Sequence, residues 1–388
     1  MILRSAQNDK LEIPIELNSF SRRTFRFMIQ YAQYFDVLLA GAEYREGMTM
    51  RTDFKSDWEE CYQIHDNWWN RRDTEKPLLL ERKFKDDSRP TPVEPVGQEQ
   101  IDVWWTDSEA FIDRAEDEMS YRIYEGAAFP RFFPFVGPGS LGLFLGAKPA
   151  FARSTVWYYP CFEDISEAQA VIDPSNKWWQ WALNTSKRAM ERSNGRYLVA
   201  LPDIVEGLDI LADLIGTDKV LYALADAPAE VHRMMREINK SWFTAYDGLY
   251  AIMNSEGAGS SYGAFELLCK GKTAKLQCDI SAMLSPAMFD EFALPYLVEQ
   301  ANWLDRSMYH LDGPGAVQHL DSLCAIENLD CIQWSPGAGA PMEYEECWDV
   351  VYRKILDSGK GFMIWLPKEH ADTFVKKWGT RGLFLHMY

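Results

Sequence analysis

The chain has 388 residues, 47% hydrophobic and 25% charged, a balance that excludes a disordered or fibrous protein and allows one large domain or two ordinary ones. Its 40 Lys and Arg against 58 Asp and Glu give a net charge of −18, which sets nucleic acid and anionic membranes aside as main partners. Seven Cys without a short paired spacing, no apolar run of 18 residues and an opening segment without a leader pattern predict a cytoplasmic protein with neither disulfides nor a zinc ribbon.

Residues 1–110 read as a mostly helical N-terminal extension, expected either to cover a pocket or to make a homodimer. Within it, Trp58 to Trp69 interleaves aromatic and charged residues as an amphipathic helix does, and PLLLE (Pro77 to Glu81) is a short strand. SRPTPVEPVG (Ser88 to Gly97) carries three Pro and is an irregular connection. Residues 111–388 read as a second domain. Short apolar runs recur there: FFPFV (Phe132 to Val136), YLVAL (Tyr197 to Leu201), KLQCD (Lys275 to Asp279), SMYHLD (Ser307 to Asp312), LDCIQW (Leu329 to Trp334), GFMIWL (Gly361 to Leu366) and GLFLHMY (Gly382 to Tyr388). Their lack of strict alternation suits parallel strands covered on both faces, and Thr155 to Tyr159 supplies an eighth.

The segments between have helical period. Asp226 and Pro228 signal a start, followed by a stripe of Val231, Met234, Met235, Ile238 and Trp242. Ser285 and Pro286 signal another, with Phe289, Phe292 and Tyr296 as its buried face and Pro295 ending or kinking it. Cys347, Trp348, Val351 and Ile355 make a third stripe, stopped by Gly359. Alternating strand and helix predict an α/β protein, a (β/α)8 TIM barrel behind the extension. An open doubly wound sheet is the alternative, but no G-x-G-x-x-G or Walker-type loop supports it.

In such a barrel, functional groups come from the C-terminal strand ends. Those ends hold Asp203, Cys278, Asp279, His310, Asp312, Trp334 and His386. His310 and Asp312, two apart on a strand, point to one side and can grip one metal ion or one proton. Asp312 could equally cap the next helix, with His310 a buried, bonded ring; Asp203 and Asp279 have the same two readings. Cys278 reads first as a small buried hydrophobe. Gly137 and Gly139, in the corner VGPGSLG, could line an anion site with their backbone N–H groups. Trp157 and Tyr158 either wall a pocket or pack inside.

Four segments, FPFVGPGSLGLFLG, PDIVEGLDILADLIGTDKVLYALADAPAEVHRMM, LQCDISAMLSPAMFDEFALPYL and YHLDGPGAVQHLDSLCAIENLDCIQWSPG, resemble the uroporphyrinogen decarboxylase superfamily over residues 120–388, in its decarboxylase-like and corrinoid-dependent methyltransferase branch. The resemblance implies a (β/α)8 barrel and methyl transfer between a small methylated or aromatic compound and a corrinoid carried by a separate protein. The methyltransferases place His-x-Cys and a later Cys on zinc; here the first pair reads His310-Leu311-Asp312. By resemblance, then, His310 and Asp312 hold Zn²⁺, with Cys278 or His386 as third ligand, and Asp203 and Asp279 orient the substrate or take up a proton. Trp157, Tyr158 and Trp334 would hold the methyl donor, beside the Gly137 and Gly139 corner.

Residues 1–110 lack the arginine-bearing segment with which the porphyrinogen decarboxylases meet their substrate's carboxylates, which speaks against a porphyrinogen. Three rivals stand. A lyase decarboxylating a small acid would need a cation near one Asp, a glycoside hydrolase would use two of Asp203, Asp279 and Asp312, and a binding protein would keep the barrel without chemistry.

Overall fold

Apolar runs bounded by Gly, Pro and Asp corners become the strands of a parallel sheet. In the computed structural model, which describes residues 50–86, 94–254 and 259–388, the parallel strands in chain order are β1 (Leu78–Glu81), β2 (Arg131–Phe132), β3 (Leu198–Val199), β4 (Thr273–Gln277), β5 (Arg306–Asp312), β6 (Cys331–Ser335), β7 (Gly361–Leu366) and β8 (Leu383–Met387). Six of them form one sheet in the order β1-β8-β7-β6-β5-β4, every neighbour parallel. The other two, β2 and β3, pair in parallel with each other. Every residue of β4 and β8 is buried, as two-faced cover requires.

The expected boundary at residue 110 does not follow the structure. Strand β1, from the stretch read as an extension, pairs Leu78 with Phe384 and Glu81 with Met387, so it is an edge strand of the sheet. Helix α1 (Trp58–Trp69) drives Trp68 and Trp69 into buried positions, their indole N–H groups donating to the Gly382 carbonyl at 3.2 Å and the Leu268 carbonyl at 2.8 Å. Residues 46–388 form one compact unit. The opening segment and residues 87–93 of the Pro-rich connection lie outside the described residues.

Thr155 to Tyr159 is also placed differently. Val156–Tyr159 pairs antiparallel with Lys148–Phe151, joined by a turn in which the Ala152 N–H donates to the Thr155 carbonyl at 2.9 Å. A four-residue connection forces a hairpin, because a parallel partner needs a crossover of a dozen residues or more.

The helices follow their stripes. Helix α2 (Gly207–Ile215) leads from β3 toward the long α3 (Pro228–Met253), which buries Val231, Met234, Met235, Ile238 and Trp242. Asp226 ends the preceding helix rather than starting this one. Ser285 caps α4 (Pro286–Phe292) by accepting from the Met288 N–H, and Pro295 sits in the first turn of α5 (Leu294–Trp303), so the proline divides two helices. Helix α6 (Asp349–Asp357) buries Val351 and Ile355 and stops before Gly359, whose φ of +82° favours glycine. Among the described residues no helix is long and apolar enough to cross a membrane.

Candidate active site

Strand register builds the site. Gln277 on β4 stands beside His310 on β5, and His310 beside Gln333 on β6, so three polar residues form one row across neighbouring strands. One step further along the chains, Asp312 stands beside Ser335. Beyond the end of β4, Asp279 opens a short 3₁₀ turn, Asp279–Met283. One ligand atom each from Asp279, His310 and Asp312 lies within 4.8 Å of the others.

The row's hydrogen bonds set its chemistry. The Gln333 side-chain nitrogen donates to the Trp334 carbonyl at 2.7 Å, which leaves its oxygen to accept from His310 Nδ1. The ring is thus assigned the tautomer with a lone pair on Nε2, as a metal ligand or proton acceptor needs. Burial, and after it the Lys275 ammonium, pushes the imidazolium pKa below its ordinary value, so the ring is neutral at pH 7. Lost hydration pushes the Asp279 carboxyl up; Lys275 draws it back, and Asp312 and Asp203 push it further. A cation placed beside Asp279 would offset that repulsion.

Behind the row lies a buried frame. Gln277 donates its side-chain N–H to Asp279 Oδ2 at 3.0 Å and to Asp209 Oδ2 at 3.3 Å, and its side-chain oxygen accepts from Lys275 Nζ. Asp209, on α2, also accepts from the backbone N–H groups of Asp279 at 2.8 Å and Ile280 at 3.0 Å, pinning the turn that carries Asp279. Glu206 accepts the Gln277 backbone N–H at 2.5 Å, while its Oε2 has no partner among the described residues. Burial pushes this carboxyl well above its ordinary range, which favours its neutral form. Lys275 and Asp203 form a buried ion pair at 2.8 Å, and Asp203 also accepts from the Tyr262 hydroxyl at 2.8 Å.

These groups face a cavity of about 500 Å³, walled by Phe133, Phe135, Phe265 and Trp365 with Asp203, Lys275, Gln277, Asp279, His310 and Gln333. The size suits a small ligand.

His310, Asp312, Asp279 and Asp203 are therefore brought together, three as one cluster and the fourth on the same cavity. The other expected residues are not. Cys278 points away from Gln277 and Asp279, as period two requires, and burial pushes its thiol well above the ordinary range, against a thiolate ligand. His386 is buried elsewhere, its Nε2 3.4 Å from Glu266 and its ring 3.7 Å from that of Trp365 at a 31° tilt. Trp334 is fully buried on the opposite face of β6 from Gln333, beside Trp348. Trp157 is 66% exposed on the hairpin, outside the cavity wall. Tyr158 donates to the Val136 carbonyl at 2.9 Å and packs on the glycine corner. A Cβ on Gly137 would stand 2.6 Å from that hydroxyl, and one on Gly139 3.2 Å from Asp213, so both glycines serve close packing.

Sequence reading missed Lys275, Gln277, Gln333, Asp209 and Glu206. Alternation alone would have found the first two, since Lys275, Gln277 and Asp279 occupy every second position of KLQCD.

No protein-family model matches the chain, and no curated protein matches it. Among solved structures, a methyltransferase from Methanosarcina mazei shares the fold with a TM-score of 0.57, covering 84% of this chain and 92% of its own at 11% identity.

Proposed function

We propose that the cavity is the active site of a methyltransferase that moves a methyl group between a small methylated compound and a corrinoid brought by a separate protein. The single observation that carries this reading is the Asp279, His310 and Asp312 cluster at the strand ends. The likeness of fold to a methyltransferase, and the resemblance of the segments around these residues, support it. We read the six-stranded sheet and the β2–β3 pair as arcs of one (β/α)8 barrel, whose active sites lie at the end where this cluster sits.

Two carboxylates and one imidazole suit a divalent metal, Zn²⁺ included, through Asp279, His310 and Asp312 in place of the expected Cys278 and His386. A metal held there supplies Lewis acidity to the substrate heteroatom that releases the methyl group. The chain's own residues do the rest. Gln333 orients the ring, Gln277 and Asp209 orient Asp279, and the aromatic wall excludes water from the bound substrate.

Metal analysis of the purified protein and its His310→Ala variant is the test, followed by methyl transfer from methylated donors to cob(I)alamin. About one metal per chain that disappears with His310 supports the reading. A chain that takes up no metal, and moves no methyl group, sinks it.

A second reading is favoured by one observation. Decarboxylation of a small acid needs a cation near an Asp, and Lys275 stands 2.8 Å from Asp203 on this cavity. Release of CO₂ from candidate acids, in the absence of cobalamin, separates the two.

A further inference from the structure

We infer that the substrate of this cavity carries a carboxylate, and that the Lys275 ammonium receives it. The inference rests on the cavity being the reaction site and holds for either reaction.

Register places Lys275 at a distinct depth. It stands beside Met308, two residues before the row of Gln277, His310 and Gln333, while Asp279 and Asp312 lie two residues beyond that row. At about 3.3 Å per residue, each step is roughly 6–7 Å. The Lys275 backbone is therefore deeper than the acidic cluster, and its ammonium reaches up to the Gln277 amide, whose nitrogen donates to Asp279. Among the described residues that line this cavity, Lys275 is the one Lys or Arg. An ammonium has three N–H donors. One is given to Gln277 Oε1, a second direction is taken by Asp203, and the described residues supply no third acceptor. The remaining donor has the cavity before it.

Asp203 does not cancel this site. The oxygen that meets Lys275, Oδ1, also accepts from Tyr262, whose hydroxyl receives the Ile204 backbone N–H at 3.2 Å. The carboxylate is held as part of the frame, and it occupies one direction of the ammonium only.

The aromatic wall argues against a cationic substrate. The Arg131 guanidinium lies 5.2 Å from the Phe133 ring centroid, that of Arg82 5.6 Å from Trp365, and Lys275 Nζ 6.0 Å from Phe265. Three of the four rings thus already have a cation on them, and a ring so polarised attracts a second cation poorly. Arg82 and Arg131 share one carboxylate, Glu266, at 2.7 and 2.9 Å, which leaves net positive charge behind the wall. A small acid with an apolar or aromatic body fits this wall, its carboxylate on Lys275.

Calorimetric titration of the full chain, freed of metal with a chelator, tests this with three probes of one shape: benzoate, benzamide and benzylammonium. Benzoate is expected to bind at least about tenfold more tightly than either of the others. Lys275→Met/Asp203→Asn, which removes both charges and strands neither, is expected to abolish that preference at an unchanged melting temperature. Lys275→Arg, which keeps the charge, is expected to retain part of it. Preference for benzylammonium, equal binding of all three, no binding of any, or a benzoate preference that survives in the folded double variant each overturns the inference. Because neither metal nor cobalamin is present, failure of methyl transfer is read separately.

Discussion

Gln333 holds His310 by one tautomer. The two residues are neighbours on β5 and β6, and the Gln333 amide nitrogen is committed to the Trp334 carbonyl, so only its oxygen is free for His310 Nδ1. Second partners of this kind orient a ligand ring and raise its basicity. Gln333→Leu, similar in volume, is expected to weaken metal binding about 10–100-fold with little loss of fold. Competition with a chromogenic chelator measures it, and an unchanged affinity would show that the ring needs no such anchor.

The ligand set is separable by substitution. Asp279→Ala and Asp312→Ala are each expected to remove bound metal, whereas Cys278→Ala and His386→Gln keep it, because the thiol is buried on the other face and His386 is engaged with Glu266 and Trp365. Metal content of the four purified variants decides the matter. Retention in Asp279→Ala together with loss in Cys278→Ala would restore the thiolate.

Much of the site was legible because strands advertise their ends. His310 and Asp312 could be paired from their spacing, and Asp203 and Asp279 from the runs they close, since alternation is fixed by backbone geometry. What sequence could not supply was register. Which residue of β4 or β6 lies beside His310 depends on how the strands align, so alternation gives the face of Gln277 but not its place beside His310, Gln333 is hidden, and Trp334, one position off, falls on the opposite face. A one-residue change of phase moves a side chain through the sheet. The eighth strand is hidden for a related reason: PLLLE has the composition of a strand, but nothing local in it says that its partner is Leu383–Met387, some 300 residues on.

Asp213 predicts a dependence of stability on pH. Its carboxyl lies against the corner of Gly139 and Gly142, and burial, then the charge of Asp209, pushes it up to about 8. The folded state then holds a proton that the unfolded chain releases near its ordinary value of 3.8. Stability from this group is full below about 4 and falls as pH rises toward 8, because over that window the unfolded state binds fewer protons. Asp213→Asn removes the titration, so it should gain on the wild type progressively from pH 5 to pH 8, by on the order of 1–3 kcal/mol at the upper end. Melting temperatures of both proteins across that range give the answer, and parallel curves would refute it.

Glu266 ties β2 to the β1–β8 pair, with which β2 shares no strand pairing. Arg82 follows β1, Arg131 lies on β2 and His386 on β8, and all three side chains meet one Glu266 carboxylate, at 2.7, 2.9 and 3.4 Å. Against the cost of burial, Arg131, His386 and Arg82 hold that carboxyl well below its ordinary range. Its backbone is strained as well, with φ at +54°, a region that non-glycine residues rarely occupy. A residue kept there against its conformational preference indicates that the carboxylate is worth more than the strain. Glu266→Gln keeps the strain and leaves two guanidiniums facing each other, so a loss of about 3–5 kcal/mol is expected. The sign in pH follows from the lowered value: this contribution is present above about pH 4.5 and lost as pH falls through the folded pKa, so wild type and Glu266→Gln should converge in acid. Urea unfolding at pH 7 and in a series of buffers from pH 4.5 downward measures both effects. A variant as stable as wild type at pH 7 would mean that the arginines find other partners, and that β1 and β2 are held by packing alone.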